Sequence, residues 1–339
     1  MTCALICSLF PFQQSLKFQK KSGNLILVDA ENHTKWQTFD FPTDTLLWSQ
    51  QLNASMNLTS AAISSPIYYS FEIHSNKLGL YLNIEDQKYS YWELKLFSNA
   101  SISFVRLGSR GLKLFNKNLR KIGQIPATGE QAVRFSALTR TGNLELYYAS
   151  KTYNNQIVFE SSYQAVHDFC DLPLPCGLFG ICTRSMNSTC LYLPKEQRDH
   201  NLYCDESYNS EMQMVELGGV DTVLRMAAPV TNSTEDECVS SCMEDCSCAA
   251  ALYEEQECFH YGLVAGAKKV GRGAESSYWV KVLKDTGEQH GISSSLVKKI
   301  LVLGEWVNVI AICCILGGLL YWILQIRCKT REISGTNND

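Results

Sequence analysis

The sequence predicts a mainly β, multidomain extracellular protein with a small disulfide-rich module, an α+β domain and one C-terminal transmembrane helix. Three observations predict this class. Short apolar runs alternate with Gly, Asn, Ser and Asp turns over residues 23–165. Ten of the fifteen cysteines fall between Cys170 and Cys258. The 21 residues Trp306–Ile326 contain no charged side chain.

The first residues, 1–22, are predicted to be a truncated or signal-like N-terminus. They begin MTCALICSLFPF, an apolar run with no basic residues before it and no clear small-residue cleavage site. Such a segment fits either a degraded signal peptide or a truncated start, and we expect the truncated start.

The β region opens its apolar runs with a repeated triplet. Gly-Asn-Leu occurs at Gly23–Leu25 before LILV and again at Gly142–Leu144 before LELYY, and Gly111 before LKLF gives a looser third copy. A Gly-Asn pair can supply the positive φ of a tight turn before a strand. Repeated β segments of this kind predict a sandwich, a barrel or a prism.

Residues 36–47 carry a more specific pattern. They resemble the C-terminal part of a bulb-type mannose-binding lectin domain, in the form found in plant S-locus glycoproteins and G-type lectin S-receptor-like kinases. The matching positions are Trp36, Gln37, Phe39, Asp40, Pro42, Thr43, Asp44, Thr45, Leu46 and Leu47, with Thr38 in place of the usual Ser. The resemblance implies bulb-type lectin-like β-prism repeats: a partial first domain at 23–56, lacking its first half, and a second, diverged one at 62–165.

That lectin family binds mannose through the motif Gln-x-Asp-x-Asn-x-Val-x-Tyr. Laid on the two triplets, the motif positions become Lys20, Ser22, Asn24, Ile26 and Val28, and Thr139, Thr141, Asn143, Glu145 and Tyr147. Both copies lack the Gln and the Asp. Because that carboxylate is the charge-assisted acceptor for sugar hydroxyls, we expect no mannose binding by the family mechanism. The ligand-binding residues stay unassigned.

A short cysteine module follows at residues 166–193. Its cysteines Cys170, Cys176, Cys182 and Cys190 allow three pairings, and they lack the Cys-x-x-Cys spacing typical of zinc sites. The segment resembles the EGF-like module of the same receptors, which implies the pairs Cys170–Cys182 and Cys176–Cys190. Because so short a segment cannot bury a core of its own, we expect disulfides to hold it.

The next unit is placed at residues 204–284. Thr234 and Glu237 have capping-box spacing, which predicts a helix starting at Glu235, with Cys238 and Cys242 one turn apart on one face. The spacing Cys-x3-Cys-x3-Cys-x-Cys, followed by another cysteine ten residues on, resembles the PAN/apple domain of S-locus receptors. The resemblance implies the pairs Cys238–Cys258, Cys242–Cys248 and Cys204–Cys246.

The C-terminal part is predicted to cross a membrane once. Residues 285–299 are polar and read as a juxtamembrane linker, 300–326 as the transmembrane helix and 327–339 as a cytoplasmic tail. The uncharged part would be about 31 Å long, which matches a hydrocarbon core and argues against a buried core helix. Arg327, Lys329 and Arg331 favour that side as cytoplasmic. We therefore expect a single-pass type I plasma-membrane protein with an extracellular N-terminus.

Six acceptor sequons for N-glycosylation all precede the predicted span. They are Asn32, Asn53, Asn57, Asn99, Asn187 and Asn232. Together with the paired cysteines, they indicate an oxidising, extracellular compartment.

Catalytic and nucleic-acid signatures are not found. The formal net charge is −4 with no clustered basic face, so no nucleic-acid partner is expected. No Gly-x-Ser-x-Gly, P-loop or kinase signature occurs. His167 and Asp168 are adjacent, and neighbours on a strand point to opposite faces. We expect no enzyme activity, no cofactor and no metal.

These observations lead to one functional expectation. The protein would be a kinase-less, receptor-like cell-surface glycoprotein that binds an extracellular peptide, protein or receptor partner through its lectin-like and PAN domains. Membrane lipid would surround its helix, and a membrane receptor kinase is a candidate signalling partner. The alternatives are a glycan-binding membrane lectin and a truncated, non-functional product of a receptor kinase gene.

Overall fold

The computed structural model describes residues 14–61, 67–85, 87–96, 100–129, 131–184, 188–193, 212–226, 231–232, 234–271 and 276–284. In these ranges the chain is mainly β, with a single α-helix. The first sheet is a three-stranded antiparallel meander of β1 (Ser15–Gln19), β2 (Asn24–Val28) and β3 (Thr34–Gln37), followed by a 3-10 turn at Thr38–Asp40. Strand β1 therefore begins before residue 23, where the sequence placed the start of the first lectin-like unit.

Three short strands then run in succession: β4 (Thr45–Leu47), β5 (Gln51–Asn53) and β6 (Asn57–Ala61). The rest of the β region supplies three meanders, β7 (Tyr68–Ile73), β8 (Lys77–Ile84) and β9 (Gln87–Lys95), then β10 (Phe104–Gly108), β11 (Gly111–Phe115) and β12 (Lys121–Pro126), then β13 (Val133–Leu138), β14 (Leu144–Lys151) and β15 (Ile157–Gln164). Each meander becomes four-stranded by pairing with one short strand: β6 with β7, β5 with β10 and β4 with β13.

One core joins these three sheets. Leu46, Leu52 and Leu58 stand six residues apart, one on each short strand, and all three are at most 1% exposed in a common hydrophobic cluster. The sequence analysis ends the first unit at residue 56 and starts the second at residue 62, whereas residues 45–61 supply one strand to each of the three later sheets. The physical reason is that each short strand finds its partner in a different, distant meander, which local pattern does not reveal.

The Gly-Asn-Leu triplets behave as predicted. Gly23 and Gly142 have φ of +80° and +84° and stand in the turns that lead into β2 and β14. Gly111, the looser copy, has φ of +118°. Only glycine adopts this region without strain, so the hairpin chemistry read from the sequence is confirmed.

The cysteine module is joined to the following unit by backbone pairing. A 3-10 turn at Phe169–Asp171 precedes β16 (Gly180–Thr183) and β17 (Thr189–Tyr192), and β16 pairs in parallel with β23 (Ala267–Lys269). Strand β23 also pairs with β19 (Val220–Thr222), giving a four-stranded sheet. Phe179 and Ile181 are buried in the main core. Besides its two disulfides, the module is therefore held by a distant strand that extends its sheet.

The last unit places the α-helix α1 (Glu235–Glu244) against a second sheet. That sheet has the order β18 (Met212–Glu216), β24 (Ser276–Leu283), β21 (Ala250–Glu254), β22 (Glu257–Tyr261) and β20 (Thr231–Asn232). The helix begins at Glu235 as predicted, since the backbone N–H groups of Thr234 and Glu237 each bond the other residue's side chain, at 2.9 and 3.4 Å. Its C-terminus is capped by Lys281, only 2% exposed, whose Nζ donates to the Asp245 carbonyl at 2.7 Å.

No helix in the described part of the chain is long and apolar enough to cross a membrane. The predicted linker 285–299, transmembrane helix 300–326 and tail 327–339 lie outside the described residues, as do residues 1–13.

Candidate functional site

The first position inherited from the mannose motif, Asn24, is used for structure. Its side chain is 4% exposed. Nδ2 donates to Gln37 Oε1 at 2.9 Å, and Oδ1 accepts from Thr38 Oγ1 at 3.0 Å and from the Phe39 amide at 3.3 Å. The amide of Asn24 therefore fastens the chain where it leaves the first sheet after β3.

The second position, Asn143, does the same in the second unit. It is 5% exposed, its Nδ2 donates to the Val166 carbonyl at 2.7 Å, and its Oδ1 accepts from the Val166 amide at 2.9 Å. These two bonds fasten the chain where it leaves β15 for the cysteine module. We call Asn24 and Asn143 the exit clamps. Because both side chains are also buried, a sugar could not reach either side-chain amide, which agrees with the expected loss of the family's mannose mechanism.

The other positions of the second copy are also engaged. Thr139 Oγ1 and Thr141 Oγ1 lie 2.8 Å apart and share a hydrogen bond, and Thr139 Oγ1 also accepts from the Asn143 amide at 3.0 Å. Burial, together with Glu145, raises the pKa of Tyr147 to about 12. The side chains at these positions serve the hairpin rather than a sugar.

Four disulfides occur among the described residues: Cys170–Cys182, Cys176–Cys190, Cys238–Cys258 and Cys242–Cys248. They are the same four pairs that the resemblance implies. The fifth expected pair involves Cys204, which lies outside the described residues, whereas Cys246 is disulfide-bonded. With their sulfurs paired, the cysteines at 170–190 have no thiolate to offer zinc.

Three of the sequon asparagines have described side chains: Asn32, Asn53 and Asn57. All three are exposed, Asn32 in the turn before β3, Asn53 at the end of β5 and Asn57 at the start of β6. Asn99, Asn187 and the side chain of Asn232 lie outside the described part. Exposure is the condition that an N-linked glycan requires, and these three positions meet it.

A cleft opens where the lectin-like unit, the cysteine module and the last unit meet. We call it the junction cleft. It has a volume of about 510 Å³, within the range of ligand sites. Its walls are Tyr91, Trp92, Ala165, Val166, His167, Asp168, Asp171, Val223, Arg225 and Lys268.

The lectin-like wall comes from a β-bulge. Leu80 of β8 pairs with Trp92 and Tyr81 pairs with Ser90, so that Tyr91 is the extra residue on β9. A bulge re-aims side chains, and here it lets both Tyr91 and Trp92 line the cleft. Tyr91 donates its hydroxyl to the Gly142 carbonyl, and burial raises its pKa well above the usual value. The aromatic wall is thereby fixed to the same hairpin that carries Asn143.

The opposite wall is attached by backbone hydrogen bonds. Ser90 and Arg225 exchange two of them, at 2.9 and 2.7 Å. The Arg225 guanidinium bonds Asp221 Oδ2 at 3.2 Å and also the backbone carbonyls of Thr222 and Leu224. Burial opposes its charge, but Asp221, Tyr261 and Glu254 together outweigh burial and raise the pKa of Arg225. Arg225 therefore keeps a fixed positive charge in this wall.

The cysteine-module wall is an ion-pair network. Asp171 Oδ1 accepts from Lys268 Nζ and from Arg184 Nη2, each at 2.8 Å. Arg184 Nε also lies 2.8 Å from Asp168 Oδ2. Two carboxylates and two cations balance here, and Arg225 with Asp221 adds a further balanced pair. The junction cleft is therefore rigid, aromatic on one side and lined by charges of both signs on the other.

Two groups of residues are candidates for catalysis or for metal binding. His167 and Asp168 were expected on a strand, but they follow β15 in a loop. Both line the junction cleft. Asp168 is bound to Arg184 and to the Cys170 amide. Of the described residues, Asp29, Glu31 and His33 could meet around a metal ion, but Asp29 is an ion-pair partner of Lys35 at 2.9 Å.

Sequence reasoning missed the exit clamps and the junction cleft. The repeated Gly-Asn-Leu triplet was a usable signal for the clamps, because it put an asparagine at the same hairpin position in both units. No local signal could have found the cleft, whose walls come from four segments spread along the chain from Tyr91 to Lys268.

No protein-family model matches the chain. Among curated proteins, the PAN domain-containing protein At5g03700 of Arabidopsis thaliana is 26% identical over 71% of this chain and 52% of its own length. Two G-type lectin S-receptor-like serine/threonine-protein kinases of the same plant, SD2-5 and At5g24080, are each 25% identical, over 80% and 94% of this chain. These alignments cover 35% and 44% of the kinases. The chain thus spans about half or less of the length of these relatives.

Proposed function

We propose, from its homology to the G-type lectin S-receptor-like proteins of plants, that this chain is a receptor-type recognition protein of the cell surface. The homology extends over most of the chain, and the mainly β architecture and the paired cysteines are consistent with it. In this proposal the protein recognises an extracellular peptide or protein and performs no chemistry on it.

The junction cleft is the observation that carries the proposal. Its aromatic side, Tyr91 and Trp92, offers apolar contact, and Arg225, Lys268 and Asp168 offer charges of both signs. Such a surface fits an extended peptide, which presents an apolar side chain between charged or amide groups. The two mannose positions, in contrast, have their amides occupied by the exit clamps.

The proposed location is the plasma membrane, with the described residues outside the cell and the segment at 300–326 as the single span. The protein would act without a kinase domain of its own and would signal through a partner, a membrane receptor kinase.

A topology experiment tests the location. The full chain, tagged at its C-terminus, would be expressed in plant cells and treated with endoglycosidase and with surface protease. A glycosylated ectodomain that protease digests, together with a protected tag, is the expected result. An unglycosylated product would contradict the proposed location.

A selection experiment tests the ligand class. A short-peptide display library would be panned on the native chain, with an Arg225→Ala/Lys268→Ala variant as the counter-selection. Peptides that are enriched by the native chain and lost on the variant are expected. If no peptide is enriched and the native chain binds a glycan array, with free sugar abolishing that binding, the result would instead favour a lectin that binds glycans.

A further inference from the structure

A second cleft lies where the first sheet meets the second unit. We call it the seam cleft. It has a volume of about 390 Å³, and Gln37, Asp40, Gln51, Met56 and Arg106 line it. Gln37 and Asp40 come from the end of the first sheet, whereas the other three come from β5, the following turn and β10. The seam cleft therefore spans the two lectin-like units.

Asn53, one of the sequon asparagines, belongs to the wall of this cleft. Its Oδ1 accepts from Gln51 Nε2 at 2.6 Å, which fixes the orientation of the side-chain amide. Its Nδ2, the atom that carries an N-linked glycan, is directed to Met56 Sδ at 4.0 Å. Because Met56 also lines the cleft, a sugar on this nitrogen starts at the cleft surface.

The side chains that line the seam cleft are suited to contact a sugar. Gln37 and Gln51 carry carboxamides, which both donate and accept hydrogen bonds, as sugar hydroxyls do. Gln37 Nε2 donates to Asp40 Oδ1 at 2.9 Å, and Arg106 Nη2 donates to Gln51 Oε1 at 3.0 Å, so the polar groups are held in place. One carboxylate and one guanidinium cancel in charge, which suits a neutral sugar, and the thioether of Met56 suits its apolar C–H face.

The position of Arg106 is fixed from below as well. Its guanidinium carbon lies 5.4 Å from the ring centroids of Phe104 and Phe115, which stack on each other at 4.9 Å. Such cation–π contacts hold an exposed arginine flat on the sheet. Arg106 therefore stays in the cleft wall as a donor.

We propose that the N-linked glycan on Asn53 folds back onto the seam cleft, where Gln51, Met56 and Arg106 hold its first sugars. The glycan would then cover the join between the two lectin-like units rather than extend into solvent. This inference rests on the proposed extracellular location, because only a chain in the secretory pathway receives such glycans.

The test compares glycan release at two sequons. The full chain would be expressed in plant cells with a mannosidase inhibitor, so that every glycan stays oligomannose, and with Thr59→Ala to remove the neighbouring sequon at Asn57. The native protein would be digested with endoglycosidase, and release at Asn53 and at Asn32 would be followed by glycopeptide mass spectrometry. Asn32 is the matched reference, since it is exposed and lies outside the lining of the seam cleft.

The expected result is slow release at Asn53 and fast release at Asn32, with the difference lost on denaturation. Arg106→Ala should speed native release at Asn53 towards the rate at Asn32, whereas Arg120→Ala, an exposed arginine elsewhere, should leave it slow. Three outcomes would overturn this inference and leave the proposed location standing. They are equal native release rates at the two sequons, an unmodified Asn53 beside a modified Asn32, and an unchanged release rate at Asn53 in Arg106→Ala. A chain with no modified sequon would overturn the proposed location as well.

Discussion

Replacing Asn143 with alanine is expected to destabilise the protein by about 2–6 kcal/mol. The two hydrogen bonds of this exit clamp satisfy the amide and the carbonyl of Val166, a residue only 8% exposed. Without them, two backbone groups are left buried and unpaired, and each such group costs about 1–3 kcal/mol. The damage should concentrate at residues 165–168, which form one wall of the junction cleft.

Two measurements on the intact chain check this expectation. Urea denaturation gives the loss in free energy of unfolding, and amide hydrogen exchange should quicken at residues 165–168 before it does elsewhere. Asn24→Ala should cost less, about 1–2 kcal/mol, since two of its three bonds go to the side chains of Gln37 and Thr38, which can turn to water. Asn118→Ala, at an exposed loop position, is the control and should cost almost nothing.

Asn143→Asp separates the clamp from simple loss of packing. It keeps the acceptor for the Val166 amide but puts a carboxylate against the Val166 carbonyl. Burial would raise the pKa of that carboxyl, so the deficit should shrink as the pH falls and the group becomes a donor again. A loss below about 0.5 kcal/mol in Asn143→Ala, or exchange unchanged at 165–168, would refute the role assigned to the clamp.

Three further predictions follow from buried positions. Gly142→Ala should cost about 2–5 kcal/mol, because φ is +84° and a new Cβ would lie 2.9 Å from the Tyr69 ring; Gly129→Ala, with φ of +87° and open space, measures the backbone part alone. Removing the Cys238–Cys258 bond by double alanine substitution should cost about 3 kcal/mol for its 20-residue separation, measured by thermal unfolding against a free-thiol-blocked parent. Burial raises the pKa of Tyr69 to about 12, so stability should fall above pH 10 as the unfolded chain loses its phenolic proton first; Tyr69→Phe should recover about 1.4 kcal/mol near pH 11 in urea titrations.

The local features of the fold could be predicted because their causes are local. The helix at Glu235–Glu244 starts where Thr234 and Glu237 place the capping box, since both bonds lie within one turn. The positive φ of Gly23 and Gly142 follows from the lack of a Cβ. The disulfide pairs came from a resemblance over closely spaced cysteines and not from the geometry of the chain.

The long-range features could not be predicted for a matching reason. Residues 45–61 form three short strands, and nothing in their sequence indicates that each joins a different sheet. The parallel pairing of β16 with β23 joins residues more than 80 positions apart. Neither strand has a hydrophobic pattern that identifies the other as its partner. The junction cleft depends on the pairing of the short strands and on that of β16 with β23. It could therefore not be predicted from the sequence.

The exit clamps connect the lost sugar chemistry to the proposed recognition surface. In a working mannose site the motif asparagine would offer its amide to a ligand, whereas here Asn143 gives both amide atoms to Val166. That exchange fixes the loop at 165–168 beside Trp92 and Arg225, and so it builds one wall of the junction cleft. A single buried asparagine therefore accounts for both the closed sugar position of the second unit and the placement of one wall of the cleft. If the cleft is the recognition surface, Asn143→Ala should weaken capture of the selected peptides, although Asn143 itself is not part of the cleft lining.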